Sequence, residues 1–250
     1  MLTARPNPLG STTQPCWLMF EATEYFDLAE TEHDTLFESN APVWTALGHI
    51  ASYLEQKLTE VDGELIQGSV HPTAIVGPNV YLAEGAAVEA KAVIQGPAWI
   101  GAGTVVRSGA YLRNNVIAGE NCTLGNSCEF KNCLLFNNVE VPHFNYVGDA
   151  ILGHKAHLGA GVICSNVRLD RRNVVVRGAE GQLIDTGLRK LSAIVGDRTE
   201  IGCNSVLSPG SILGKDCILY PLTHWQGVLD DAQIVKTKQP QDVVARRMKD

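Results

Sequence analysis

The chain has 250 residues, enough to bury a core in one or two domains. Acidic residues outnumber basic ones, 27 to 20, and the formal net charge of −7 argues against nucleic acid as a partner. No run approaches the roughly 18 apolar residues of a membrane span, the polar, Pro-rich start MLTARPNPLGSTTQP lacks a secretory apolar run, and seven cysteines without a CxxC pair read as reduced thiols, so a cytoplasmic protein is expected.

Residues 1–65 read as an N-terminal extension. Within it Val43, Leu47, Ile50, Leu54 and Leu58 recur every three or four residues, the spacing of an amphipathic helix. Asn40 suits its N-cap and Pro42 its first turn. The segment from residue 16 to 60 is expected to cover the open top of the domain C-terminal to it.

That domain is a repeat. Stepping by six from Val70 through Val76, Leu82 and Val88 to Phe136 meets an apolar residue at all twelve positions. Four residues after each of the first ten comes a small or β-branched one, such as Ala74, Val80, Ala86 and Ala92. Neither the helical nor the strand period gives this pattern. A large residue every six with a small one between fits a short strand that turns a corner into the next. Three such sides make an 18-residue coil, and coils stack at about 4.8 Å. The expected fold is all-β: a parallel β-helix of about seven coils over residues 66–228. Cys122, Cys128 and Cys217 fall in the small inward column and Cys164 in the large one, so they read as core thiols. Trp17, Trp44, Trp99 and Trp225 read as packing residues.

Arg113 and Lys131 each follow the large apolar residue of a hexad, so both point outward, one coil apart. Two bare cations about 5 Å apart in water repel by about 0.9 kcal/mol. A phosphate between them would reverse that cost; the plainer alternative is two solvated cations splayed apart. After Phe136 the step slips through Val141, Val147, Leu152, Leu158 and Cys164, and His143 lies within the slip. Local breaks in a regular pattern often mark function, and a neutral imidazole there suits a general base; a histidine that hydrogen-bonds at a distorted corner is the alternative. His154 and His157 are three apart with no evident third ligand, so no metal site is expected. Gly159–Gly161 is repeat geometry, not a nucleotide loop.

Residues 170–192 interrupt the repeat. Asn173–Arg177 and Gln182–Thr186 read as a protruding hairpin turned at residues 178–181. The six-step returns at Val195, Ile201, Leu207, Leu213 and Leu219. Residues 229–250 form a tail, with a short polar helix expected over Pro240–Asp250.

Arg113, then Cys-Glu-Phe-Lys131, His-Phe-Asn-Tyr-Val-Gly-Asp-Ala150, Leu-Gly-Ala-Gly161 and Cys-Ser-Asn166 resemble the acetyltransferase domain of the bacterial bifunctional enzyme that makes UDP-N-acetylglucosamine. The run from Arg113 to Asn166 aligns without a gap. Ala-Ile-Val-Gly-Asp197 and Ile-Gly-Cys-Asn-Ser-Val-Leu-Ser-Pro-Gly210 also resemble the β-helix tail of sugar-1-phosphate nucleotidylyltransferases. The hexad pattern is that of the hexapeptide-repeat family. The likeness covers roughly residues 70–225 and implies left-handed coiling, a homotrimer and metal-free acetyl transfer from acetyl-CoA to an amino-sugar 1-phosphate. It implies that Arg113 and Lys131 hold the phosphate, that His143 takes a proton from the amine, that Tyr146 and Asn166 contact the sugar, and that the backbone of Ala160 meets acetyl-CoA. Three positions depart from the family: His157 replaces a substrate-contacting Asn, Val167 an aromatic residue, and Cys203 a Ser near the coenzyme.

Two readings therefore stand. One is an acyltransferase acting on a sugar 1-phosphate, with sugar phosphate and acyl-CoA as partners and neither membrane nor nucleic acid. The other is a relative of the nucleotidylyltransferases that lacks their Gly-rich catalytic domain and serves as a trimerisation or regulatory module.

Overall fold

The structure is a computed structural model that describes residues 20–178 and 181–247. It is dominated by a parallel β-helix of short strands. One side is a ladder of nine strands, from Ser69–Val70 to Ile234–Val235, so the helix has nine coils rather than the expected seven. The ladder also runs past residue 228, because Leu229 and Val235 continue the stack off the six-step. A second side runs from Ile75–Val76 to His224–Trp225, and a third from Val80–Leu82 to Val228–Leu229.

Inside, the large column (Leu82, Ile94, Leu112, Phe130, Val147) and the small column (Ala92, Ala110, Cys122, Cys128) form one continuous buried core. Phe136 does not belong to it. The strands Glu129–Leu135 and Tyr146–Leu152 run straight through the corner between the second and third sides. The coil from Glu129 to its partner Tyr146 is one residue shorter than the coil before it, from Tyr111 to its partner Glu129. The slip thus begins before Phe136: Leu135 takes the inward slot and Phe136 faces out.

Phe136 joins a second core. The outward residues of the third side are apolar coil after coil: Trp99, Ile117, Leu134, Ile151, Ile194 and Ile212 are buried. The N-terminal segment lies along this wall instead of over the open top, and buries the wall's apolar face. It comprises a short helix α1 (Ala22–Tyr25), three 3₁₀ turns and the helix α2 (Ala46–Thr59). Leu47, Ile50 and Leu54 of α2 are buried there. Phe136 meets Phe26 at 4.7 Å and Phe37 at 5.9 Å between ring centres. The Trp99 indole donates to Glu32 at 2.8 Å. Asp197 accepts from the backbone N–H of Asp27 and of His154. His33, within this segment, is buried with its Nδ1 2.9 Å from the Tyr53 hydroxyl; burial holds its pKa down at about 3, so it is neutral.

Asn40 is not the N-cap of α2. It adopts a left-handed conformation (φ 58°), and a 3₁₀ turn over Val43–Thr45, beginning after Pro42, leads into the helix. The interruption holds an antiparallel hairpin, Val175–Arg177 with Leu183–Asp185; residues 179 and 180 of its turn lie outside the described residues. The expected C-terminal helix is absent from residues 240–247, and 248–250 lie outside the description. Val243 and Val244 are 96% and 83% exposed, and so short an isolated helix is marginal without a surface to bury against. Trp44 and Trp99 are buried and Trp225 half-buried, while Trp17 lies outside the described residues.

Candidate functional site

The corner between the second and third sides carries a connected polar cluster. Register places Arg113 one coil from Lys131. The two cations are not bare, however. Arg113 Nη1 donates to Glu129 Oε1 at 3.0 Å on the surface, a bond that raises the guanidinium pKa above its ordinary value. Lys131 Nζ donates to Asp149 at 3.0 and 3.2 Å, and this pair is largely buried. The like-charge repulsion expected from sequence is thus already neutralised: Asp149, next to Gly148, the register partner of Lys131, reaches the ammonium.

Asp149 is the hub. It also accepts from Asn132 Nδ2 at 3.1 Å and from Asn166 Nδ2 at 2.6 Å. Asn166 reaches Tyr146 Oη at 3.1 Å, so the phenol oxygen accepts and its proton is left for another acceptor. Burial, then Asp149 and Glu129, raise the Tyr146 pKa above the ordinary value, keeping the phenol neutral. Gly148 permits the contact: a Cβ there would strike the Tyr146 ring and hydroxyl. Asn132 links the cluster to α2 by donating to the Leu47 carbonyl at 3.3 Å.

The corner between the first and second sides carries His143, Ala160 and Cys203 in successive coils. His143 ends the strand Glu140–His143 opposite Asn126. Its carbonyl accepts from Gly161 N–H, and the Ala160 carbonyl accepts from Asn204 N–H. Gly125 sits beneath, where any Cβ would run into the Pro142 backbone. The His143 side chain is exposed, and its ring nitrogens take no hydrogen bond among the described residues. Beside it Phe144 is 62% exposed. Tyr146 stands on the second side between the two corners, so that face of the prism has the imidazole at one edge and the Lys131–Asp149 cluster at the other.

His157 faces outward on the first side, where it meets Glu200 at 2.7 Å, apart from the Tyr146 face. His154 is turned toward the N-terminal segment, with Nδ1 3.2 Å from Glu30 but out of line for a hydrogen bond. The two do not converge. Among the described residues, no group of three His, Cys, Asp or Glu side chains is placed to hold a metal ion. A cleft of about 1130 Å³ between the hairpin, Phe20–Tyr25 and Trp225–Asp231 has none of the candidate residues in its wall.

Cys122, Cys128, Cys133, Cys164 and Cys217 are buried and Cys203 is exposed. Burial pushes the thiols of Cys122 and Cys164 up to about 12 and that of Cys128 to about 11. Thiolate is the reactive form, so among the described residues only Cys203 is expected to be modified by iodoacetamide in the native protein, as peptide mass mapping would show. No helix of the described residues is long and apolar enough to cross a membrane.

Residues 94–187 match the family described as the GMPPB C-terminal domain. A bifunctional sugar-1-phosphate nucleotidylyltransferase/acetyltransferase of Sulfurisphaera tokodaii is 33% identical over 88 residues, 35% of this chain and 22% of that one. The bifunctional protein GlmU of Methanococcus maripaludis is 34% identical over 92 residues, 34% of this chain and 22% of that one. The chain thus spans about a fifth of the length of these curated relatives. Among solved structures, a GDP-perosamine N-acetyl transferase variant from Caulobacter crescentus, bound to CoA and GDP-perosamine, is 22% identical with a TM-score of 0.32, over 67% of this chain and 59% of that one.

Proposed function

We propose that this hexapeptide-repeat β-helix, homologous over about a third of its length to archaeal sugar-1-phosphate nucleotidylyltransferase/acetyltransferases, is itself an acetyl-CoA-dependent N-acetyltransferase for an amino-sugar 1-phosphate. One observation carries the reading. Residues well separated within the gapless run from Arg113 to Asn166 fold together, so that Lys131, Tyr146 and Asn166 form one polar cluster on the face that His143 borders.

On this reading the sugar amine attacks the thioester carbonyl. The C–N bond forms, the C–S bond breaks, His143 takes the amine proton, and the thiolate leaves as the CoA thiol after protonation. The backbone N–H of Ala160 stabilises the oxyanion. Arg113 and the Lys131 cluster hold the phosphate, Tyr146 and Asn166 the sugar, and His157 a more distant part of the substrate. Cys203 lies along the path of the coenzyme. The imidazole has no orienting partner among the described residues, and a base normally needs one. A homotrimer in which a second copy covers the corner beside Phe144 supplies it. The cytoplasm, where the thiols stay reduced, is the compartment.

Incubation with acetyl-CoA and glucosamine 1-phosphate or galactosamine 1-phosphate is expected to release CoA thiol. Release with neither sugar, by the wild type and by His143→Ala alike, would sink the reading and leave the non-catalytic module. Arg113→Ala is expected to raise the KM for the sugar phosphate by about 10-fold or more, the cost of a lost hydrogen bond to a charged group. CoA is expected to slow alkylation of Cys203.

A further inference from the structure

The corner between the second and third sides is built as a ladder. The pairings Val80–Ala98–Val116–Cys133–Ala150 put Asn79, Pro97, Asn115, Asn132 and Asp149 on successive rungs. Asn79, Asn115, Asn132 and Asp149 all have positive φ, between 47° and 61°. Asn tolerates that conformation best among residues with a Cβ. The rungs also bond one another: Asn115 Nδ2 donates to Asn132 Oδ1 at 3.3 Å, and Asn132 Nδ2 to Asp149 Oδ1 at 3.1 Å.

The corner therefore calls for an asparagine, and at one rung the chain places a charge instead. That charge is buried, with 5% of its side chain exposed, and burying a carboxylate is costly unless it is paired. The neighbouring rungs show that turning the corner does not require it. What the carboxylate adds is a second acceptor oxygen. Oδ1 takes Lys131 and Asn132, and Oδ2 takes Asn166 and the longer contact from Lys131.

We propose that Asp149 is a positioning residue for the acceptor sugar: it fixes the Lys131 ammonium and the Asn166 carboxamide, and through Asn166 the Tyr146 hydroxyl, as one rigid set. This rests on the function proposed above. A carboxamide offers one acceptor where the carboxylate offers two, so in Asp149→Asn either Lys131 or Asn166 loses its partner.

The test compares Asp149→Asn, Lys131→Met and the double variant with the wild type. In Asp149→Asn the KM for the amino-sugar phosphate is expected to rise by about 10-fold or more while the KM for acetyl-CoA stays unchanged. Because Asp149 acts through Lys131, the double variant is expected to be no worse than the worse single variant, a non-additive cycle. The double variant also leaves no buried charge unpaired, so it folds even where Asp149→Asn does not. Independently of turnover, pulse labelling with an acetyl N-hydroxysuccinimide ester, read by mass spectrometry, is expected to modify Lys131 several-fold faster in Asp149→Asn. Additive losses, both KM values moving together, or unchanged Lys131 labelling would overturn the proposal. If the wild type acetylates no amino-sugar phosphate, the function falls, and the labelling result alone decides whether Asp149 holds Lys131.

Discussion

Replacing His143 with alanine is expected to cut turnover by about 10²–10⁴-fold, the usual contribution of a positioned general base. Melting temperature and both KM values are expected to change little. The reason lies in how the side chain is held. Its imidazole is exposed and takes no hydrogen bond among the described residues, while its backbone is fixed by Gly161 N–H and by the strand pairing to Asn126. The ring can therefore be removed without loosening the corner. Thiol release under saturating substrates measures the effect. A variant that keeps turnover within about tenfold of wild type would deny His143 the base's role, since a base is worth at least about 100-fold.

A large loss of stability is expected at Phe136. Truncation to alanine is expected to cost about 3–5 kcal/mol, as for other fully buried aromatic residues. Phe136 has no exposed surface and stacks against Phe26 and Phe37 from the N-terminal segment. A chain of this size is expected to lose roughly 10 °C in Tm, and the N-terminal segment to become more open to proteolysis. Urea unfolding measures the loss. A cost below about 1 kcal/mol would show that the second core contributes little, because a well-packed Phe is not removed so cheaply.

The repeat is legible because one residue type recurs at one step, and the inward columns from Leu82 to Phe130 supply the core. Phe136 reads as inward in the sequence and faces out in the structure. The shortened corner offers it an apolar setting on either face, so pattern alone cannot tell Leu135 from Phe136. A signal for the second core is nevertheless present. Tyr81, Trp99, Ile117, Leu134 and Ile151 recur once per coil. Within one coil such a residue looks like any exposed apolar side chain; only the column across coils shows a wall that needs a cover. At the candidate site, Arg113, Lys131, His143, Tyr146 and Asn166 stand out by type and motif; Glu129 and Asp149 lie in the same motifs, but their pairing with the two cations is not written there. Asp149 lies 18 residues after Lys131, one regular coil on, and the shortened coil sets Gly148 opposite Lys131, so the side chain must reach across to its neighbour; that is a matter of side-chain geometry, not of composition.

The N-terminal segment also alters how this solenoid resists unfolding. A stack of repeats ordinarily couples only nearest neighbours, so its ends fray and its middle melts in stages. Here one segment touches distant coils at once: Glu32 binds Trp99, Leu47 binds Asn132, Asp27 binds Asp197, and the Thr23 carbonyl accepts from Lys215. It acts as a strap across the stack, and coils as distant as those of Trp99 and Lys215 share a single cooperative unit.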